Sequence, residues 1–368
     1  MEESNEFGGV VSPESLVPVR PWRRTRVWLA IASVIFIFLA INGLRYGPAK
    51  IVAPGTNQAT TTTTPINLPK FDWVVFSKDN TVQEISLSDG QPLSGKISVA
   101  NDPVAIVDDP TGLQLYVVAK GSNVISVVNL YSYKTYKTLK VGPSPIAITI
   151  NPKTAVAYVI NQGDSTITPI KLLGLKVQPA FSAGPDPSAI TTNSSGTTAY
   201  ICEASVGEVL PVDLTTNPPT PLAPIAVGTD PVAIALDPTN GKYLYVVNKG
   251  SGSISVIDTS SNQVASSVVV GGNPNAISIS KGIASAYVTL GAQGEVIPFS
   301  TVTLLPGLPI SIGGNPSAIT LDALGETAFV VDTNHNKGWV LELSQKSTPV
   351  SFSLPEGPIA LSYLPPSG

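Results

Sequence analysis

Arginine is almost missing from this chain. All five arginines lie at or before Arg45, which leaves some 320 residues without a guanidinium. Bidentate recognition of phosphate depends on that group, so a nucleic-acid or phosphate binder is disfavoured. Cysteine and histidine occur once each, as Cys202 and His335, which removes disulfides, zinc–thiolate clusters and most imidazole-dependent chemistry. Charge is scarce too, at 12% of residues against about 25% in an average soluble domain. With 43% of residues hydrophobic, a disordered polyelectrolyte is excluded and a large core must be buried. What is abundant is turn chemistry. The 31 glycines and 34 prolines argue for many tight turns and an all-β chain rather than long helices. From residue 51 onward 15 lysines face 21 carboxylates, leaving the main domain mildly acidic.

Residues 27–44 form one uncharged, almost wholly apolar run. At 1.5 Å per residue a helix of that length covers about 27 Å, close to the roughly 30 Å hydrocarbon core of a bilayer. Arg20, Arg23, Arg24 and Arg26 precede the run, and only Arg45 and Lys50 follow it closely. The positive-inside bias therefore puts residues 1–26 in the cytoplasm and everything after residue 45 outside it. Trp22, Trp28 and Tyr46 are placed to sit at the two interfaces. A cleaved signal peptide shares the same outline. The length of the run and a leader carrying Glu2, Glu3, Glu6 and Glu14 favour an uncleaved single-pass anchor. Residues 45–70, with Pro48, Pro54, Gly55, Thr60 to Thr64, Pro65 and Pro69, read as an extended linker.

Residues 71–368 repeat one phrase: Pro103-Val104-Ala105-Ile106, Pro145-Ile146-Ala147-Ile148, Pro187-Ser188-Ala189-Ile190, Pro231-Val232-Ala233-Ile234, Pro274-Asn275-Ala276-Ile277, Pro316-Ser317-Ala318-Ile319 and Pro358-Ile359-Ala360-Leu361. The intervals are 42, 42, 44, 43, 42 and 42 residues. A period in the low forties, rich in β-branched residues, points to one four-stranded propeller blade per repeat. Thirteen or fourteen residues after each proline comes an aromatic strand, as in Tyr116-Val117, Tyr200-Ile201 and Phe329-Val330. The first repeat starts directly at that strand, Trp73-Val74-Val75-Phe76, and the last has only the proline phrase. Each end supplies what the other lacks. The expected fold is thus an all-β, seven-bladed β-propeller closed by a sheet shared between its N- and C-terminal strands, preceded by one transmembrane helix.

The best copy, Pro231 to Pro238 followed by Tyr245-Val246-Val247-Asn248-Lys249-Gly250-Ser251 and Ile254-Ser255-Val256-Ile257-Asp258-Thr259, resembles the YVTN-type β-propeller repeat proteins of bacterial and archaeal surface-layer-like proteins. The resemblance covers about residues 71–366 and implies the fold; it implies much less about activity. Glu203 and Asp332 depart from the signature asparagine, and Asn334-His335-Asn336-Lys337 replaces the usual Gly-Ser turn.

The residues ahead of the repeat prolines are Asp102, Ser144, Asp186, Asp230, Asn273, Asn315 and Gly357. By analogy with other propellers they lie at the channel mouth. Asp102, Asp186, Asp230, Asn273 and Asn315 are the candidate ligands for a Ca²⁺ or Mg²⁺ ion there, since hard cations take several oxygens; the competing reading is turn initiation. Asp109-Pro110, Asn151-Pro152 and Asp237-Pro238 read as type I turns. His335 is a lone candidate base in an irregular loop, and Cys202 is a small buried apolar residue. Tyr131, Tyr133, Lys134, Tyr136, Lys137 and Lys140 form either a surface for a sugar or acidic polymer or a lysine-protected edge strand. No catalytic residue and no cofactor is assigned. The expected function is a membrane-anchored, extracytoplasmic, non-enzymatic scaffold for a protein or cell-surface polymer. The alternative is a metal-dependent, lactonase-like hydrolase or lyase with its cation at the channel mouth.

Overall fold

Antiparallel pairing turns each repeat into one sheet. The computed structural model of the protein describes residues 71–280, 282–322, 324–344 and 348–362. The anchor at 27–44, the tail before it and the linker at 45–70 lie outside the described residues; among the described ones no helix is long and apolar enough to cross a membrane. Among the described residues seven sheets are present; six follow chain order from strand to strand, and the seventh takes its innermost strand from the C-terminal end. Blade two runs Pro103–Asp108, Gln114–Ala119, Val124–Asn129 and Lys134–Lys140 from the inside out. Blades three to seven open with the strands Pro145–Asn151, Pro187–Thr192, Pro231–Leu236, Pro274–Ile279 and Ala318–Leu321. Each proline-phrase strand packs against those of the two neighbouring blades, so together they form the inner ring.

Blade one is built from both ends of the domain. Phe71–Phe76 pairs with Thr81–Ser86 on one side and with Pro358–Ser362 on the other, in the register Trp73↔Ser362, Val74↔Leu361 and Val75↔Ala360. Beyond this shared sheet the closing seam is sealed by Val74, Phe76, Ile85 and Leu87 of blade one against Phe329, Val331, Val340 and Leu354 of blade seven. The other six seams hold equivalent clusters. The hydrophobic core is therefore seven wedges between blades, which is why both faces of each second strand are apolar.

The outer strand is the least regular element. It is seven residues long in blades two and five, Lys134–Lys140 and Gln263–Val269, but shrinks to two-residue fragments in blades one, three, four and six. Prolines account for this, because they cannot donate to a ladder: Pro92, Pro179, Pro218, Pro219, Pro221, Pro224, Pro306 and Pro309 fall in those stretches, and the two long strands contain none.

A glycine two residues before the pre-proline position gives the second strand room to end. A Cβ on Gly142 would lie 2.6 Å from Asn161 Cγ, and one on Gly228 would lie 2.7 Å from Asn248 Cβ. Both asparagines are fully buried. At Gly142 and Gly228 the glycine is thus dictated by that asparagine, whereas at Gly271 and Gly313 the Cβ position is open and a φ of 93° and 78° is what favours glycine.

Removing the last strand opens the ring and exposes the closing seam. A chain ending at Gly357 is expected to melt at least about 10 °C lower than the full chain, since 1 kcal/mol shifts the midpoint by about 2–4 °C in a domain of 150–250 residues. Calorimetry giving an unchanged, cooperative transition for the shortened chain would refute closure by strand sharing.

Candidate functional site

The pre-proline residues sit where the innermost strands begin, hereafter the proline end of the ring. Asp102, Ser144, Asp186, Asp230 and Asn273 all have φ between 45° and 54°, and Gly357 has φ of 73°. Among residues with side chains, Asp and Asn are those that tolerate this left-handed region best. Their carbonyls accept hydrogen bonds from the residue following the second strand: Asp102 O from Lys120 N at 2.8 Å, Asp186 O from Ala204 N at 3.0 Å, Asp230 O from Lys249 N at 2.8 Å and Asn273 O from Gly291 N at 3.3 Å. The αL asparagines of the preceding blades reach the next pre-proline amide: Asn80 Oδ1 accepts from Asp102 N at 2.8 Å, Asn123 Oδ1 from Ser144 N at 2.8 Å and Asn336 Oδ1 from Gly357 N at 2.9 Å. The carbonyl bonds close each blade's own turn, and the asparagine contacts stitch blade to blade at Asp102, Ser144 and Gly357.

The candidate ligands are spread over five blades: Asp102 in the second, Asp186 in the fourth, Asp230 in the fifth, Asn273 in the sixth and Asn315 in the seventh. Asp186 Oδ1 accepts from Gln162 Nε2 at 3.2 Å. Among the described residues no three His, Cys, Asp or Glu side chains gather as a metal would need. At the opposite, far end, Asp109, Asn151 and Asp237 accept amides of their own turns, from Leu113 at 2.9 Å, Lys153 at 3.0 Å and Thr239 at 2.8 Å, as the turn reading requires.

Asn315 departs from its ring. Its amide donates to Asp332 Oδ2 at 2.7 Å, and the same carboxylate oxygen lies 2.5 Å from His335 Nδ1. Asp332 Oδ1 accepts from the amides of Asn334 and His335 at 2.9 and 3.0 Å. Burial of Asp332 opposes ionisation, but the Asn315 amide and the His335 contacts together outweigh it and hold the carboxyl below its usual range. A buried carboxylate thus orients a half-exposed imidazole. Two hydroxyls near this turn are already engaged, Ser317 Oγ with Thr333 Oγ1 at 2.9 Å and Thr333 Oγ1 with Pro358 O at 2.7 Å. No nucleophile completes the pair among the described hydrogen bonds. Cys202 is buried, and burial first, then Glu203, pushes its thiol far up.

A second departure has no counterpart in sequence motifs. Asp72 is fully buried at the place that the other second strands fill with Leu115, Ala157, Ala199, Leu244, Ala286 and Ala328, all fully buried. It faces the closing seam, where Thr320 of blade seven donates to Asp72 Oδ2, while Ser362 Oγ donates to Asp108 Oδ1 at 2.9 Å. Desolvation dominates, the Thr320 hydroxyl and the amides of Trp73 and Ser362 oppose it, Asp108 adds repulsion, and the pKa rises to about 7. Its signal in the sequence is a carboxylate at the position where six second strands carry Leu or Ala.

Solved structures of similar fold come from several sources. The chain is similar to Kuenenia stuttgartiensis hydrazine synthase (17% identity, TM-score 0.63, 72% of this chain and 91% of that one). It is also similar to a functionally unknown protein of Desulfotomaculum acetoxidans (15%, 0.69, 81% and 100%). A third likeness is to a Bacteroides uniformis protein provisionally described as a 6-phosphogluconolactonase (12%, 0.67, 81% and 100%). Identities this low carry the fold alone. No protein-family model and no curated protein matches the chain.

Because the folded pKa of Asp72 exceeds the ordinary value of about 3.9, the folded chain keeps this proton between about pH 4 and 7 while the unfolded chain loses it. The group's contribution is complete below about pH 4 and is lost as pH rises to about 7. Asp72→Asn is accordingly expected to melt above the parent at pH 8, with the gap closing toward pH 4. A variant that melts lower at pH 8 would show that the carboxylate itself is needed.

Proposed function

We propose that this protein is a single-pass, membrane-anchored propeller whose residues 71–368 stand outside the cytoplasm as a non-enzymatic scaffold for a protein or cell-surface polymer. The observation that supports it most is how the recurrent polar positions are used. The pre-proline residues hold turns and couple blades, which leaves the varied outer edges and turn tips as recognition surface, the usual division of labour in repeat proteins. The anchor rests on the uncharged run 27–44 and the arginines ahead of it, and the YVTN-type resemblance fits a surface location. The lactonase-like alternative draws on fold likeness, and it would need Asp102, Asp186 and Asp230 to act on one cation.

Alkaline carbonate washing tests the anchor: the full chain is expected to stay with the membrane pellet and a chain beginning at residue 45 to be released, and release of both would overturn it. Millimolar Ca²⁺ or Mg²⁺ is expected to leave the melting temperature within about 1 °C, because a ligand stabilises only when it binds the folded state preferentially. A clear rise would move the reading to the hydrolase.

A further inference from the structure

Charge is unevenly distributed around the ring. Residues 102–185, blades two and three, carry seven lysines against four carboxylates, Asp102, Asp108, Asp109 and Asp164; Asp109 is buried in its own turn. The rest of the chain beyond residue 50 carries eight lysines against 17 carboxylates. Lys134, Lys137, Lys153, Lys171 and Lys176 are exposed, and none is in an ion pair among the described residues. Lys171 stands directly opposite Lys176 across two paired strands, an arrangement that costs stability unless something anionic compensates it.

Blade five provides an internal control. Its outer strand Gln263–Val269 has the same length and the same register shift as Lys134–Lys140, at Val256/Ile257 and Val127/Val128 respectively. Yet it reads QVASSVV where blade two reads KTYKTLK. This edge folds without lysines or aromatics, so edge protection does not explain them. The turn before each outer strand agrees. Two residues ahead of its left-handed residue stand Ser88, Tyr131, Leu173, Ser260 and Val302 in blades one, two, three, five and six. Blades two and three thus project Tyr131, 71% exposed, and Leu173, 90% exposed, with Leu113 beside them at 52%. Backbone hydrogen bonds fix these tips, Leu130 N to Leu113 O at 2.9 Å and Leu172 N to Ala155 O at 3.0 Å. Blade two even holds Tyr133 at φ 54° where blade five has Asn262, a strained choice for a bulky residue. Blade six shows exposed Val302 and Leu308, but no lysine lies in its 301–309 loop.

All these tips lie at the far end of the ring, where the innermost strands finish. Phe71 begins its strand at that end as well, since Phe71–Phe76 runs antiparallel to Pro358–Ser362. The covalent linker therefore joins the propeller at the far end, next to blade two.

We propose that the far end of blades two and three docks on an anionic lipid surface, with Leu113, Tyr131 and Leu173 entering the interface and Lys134, Lys137, Lys153, Lys171 and Lys176 meeting the headgroups. Apolar tips ringed by lysine are the chemistry of interfacial binding, and basic groups near such a surface gain from its negative potential within a Debye length. The inference rests on the membrane anchor of the preceding section, and it adds an orientation: the proline end, with Asp332 and His335, faces away from the bilayer.

The test uses the full chain in proteoliposomes carrying a lipid-borne quencher. Native Cys202 is buried, so one fluorophore can be placed at Leu173→Cys or, as control at the proline end, at Ser251→Cys. In phosphatidylglycerol vesicles, quenching at 173 is expected to be at least about threefold that at 251. It is expected to collapse in phosphatidylcholine, in about 0.5 M salt, where the Debye length falls to a few ångströms, and in Lys134→Glu/Lys137→Glu. Equal quenching at the two positions, quenching indifferent to lipid charge, or a response at 173 to soluble polyglutamate or polygalacturonate without lipid quenching would overturn the proposal, the last in favour of a soluble polyanion. Carbonate extraction of the same vesicles reports on the anchor separately, so loss of the anchor and loss of docking give different patterns.

Discussion

The pairing of Phe71–Phe76 with Pro358–Ser362 is the constraint on which the rest of the propeller depends. Each blade buries two apolar faces, and a blade at the end of an open row would leave one of them in water. Sharing a sheet between the two extremities of the domain removes both loose ends at once. Every seam then becomes an interior, from the Trp73 and Val117 cluster between blades one and two to the Phe329 and Phe76 cluster that closes the circle.

Closure also explains why the turns are so uniform. The chain steps inward once per blade; at six of the seven a left-handed residue before the proline supplies that step, and in the Asn315 turn Gly313 and Gly314 are the left-handed residues. Asp and Asn suit the left-handed conformation found there, and the glycines two positions earlier at Gly142 and Gly228 make room for a neighbouring asparagine. The residues before the prolines hold their turns through backbone N–H and C=O groups. The repeats differ most from one another at the Asp332–His335 pair, the carboxyl of Asp72 and the basic, apolar-tipped end of blades two and three.

These departures differ in how far they could be read in advance. His335 stood out because the Asn334 to Lys337 loop replaces a recurrent turn, but its carboxylate partner and the diverted Asn315 amide depend on how that loop curls back. The lysines and Tyr136 of Lys134–Lys140 are visible in the sequence as a cluster, and only the structure shows that blade five builds the same strand without them. Asp72 passed unnoticed, because a carboxylate at the start of a strand is ordinary until six aliphatic counterparts are laid over it. Outer strands were expected in every repeat and formed at full length only where proline is missing.

The sequence by itself determined the number of blades, the order of strands within each and the sharing of a sheet between the ends, because these follow from local properties: a 42-residue period, strand alternation and turn residues at fixed offsets. Only the tertiary structure decided which side chains meet across seams, since those contacts join positions far apart in the chain, such as Thr320 and Asp72, 248 residues distant. Tertiary structure likewise decided that Lys134, Lys153, Lys171 and Lys176 lie with the apolar tips toward one end of the ring, while Lys120 and Lys140 lie at the other. The physical reason is the same in both cases: local periodicity specifies a blade, while the environment of a side chain is set by the neighbouring blade it is packed against.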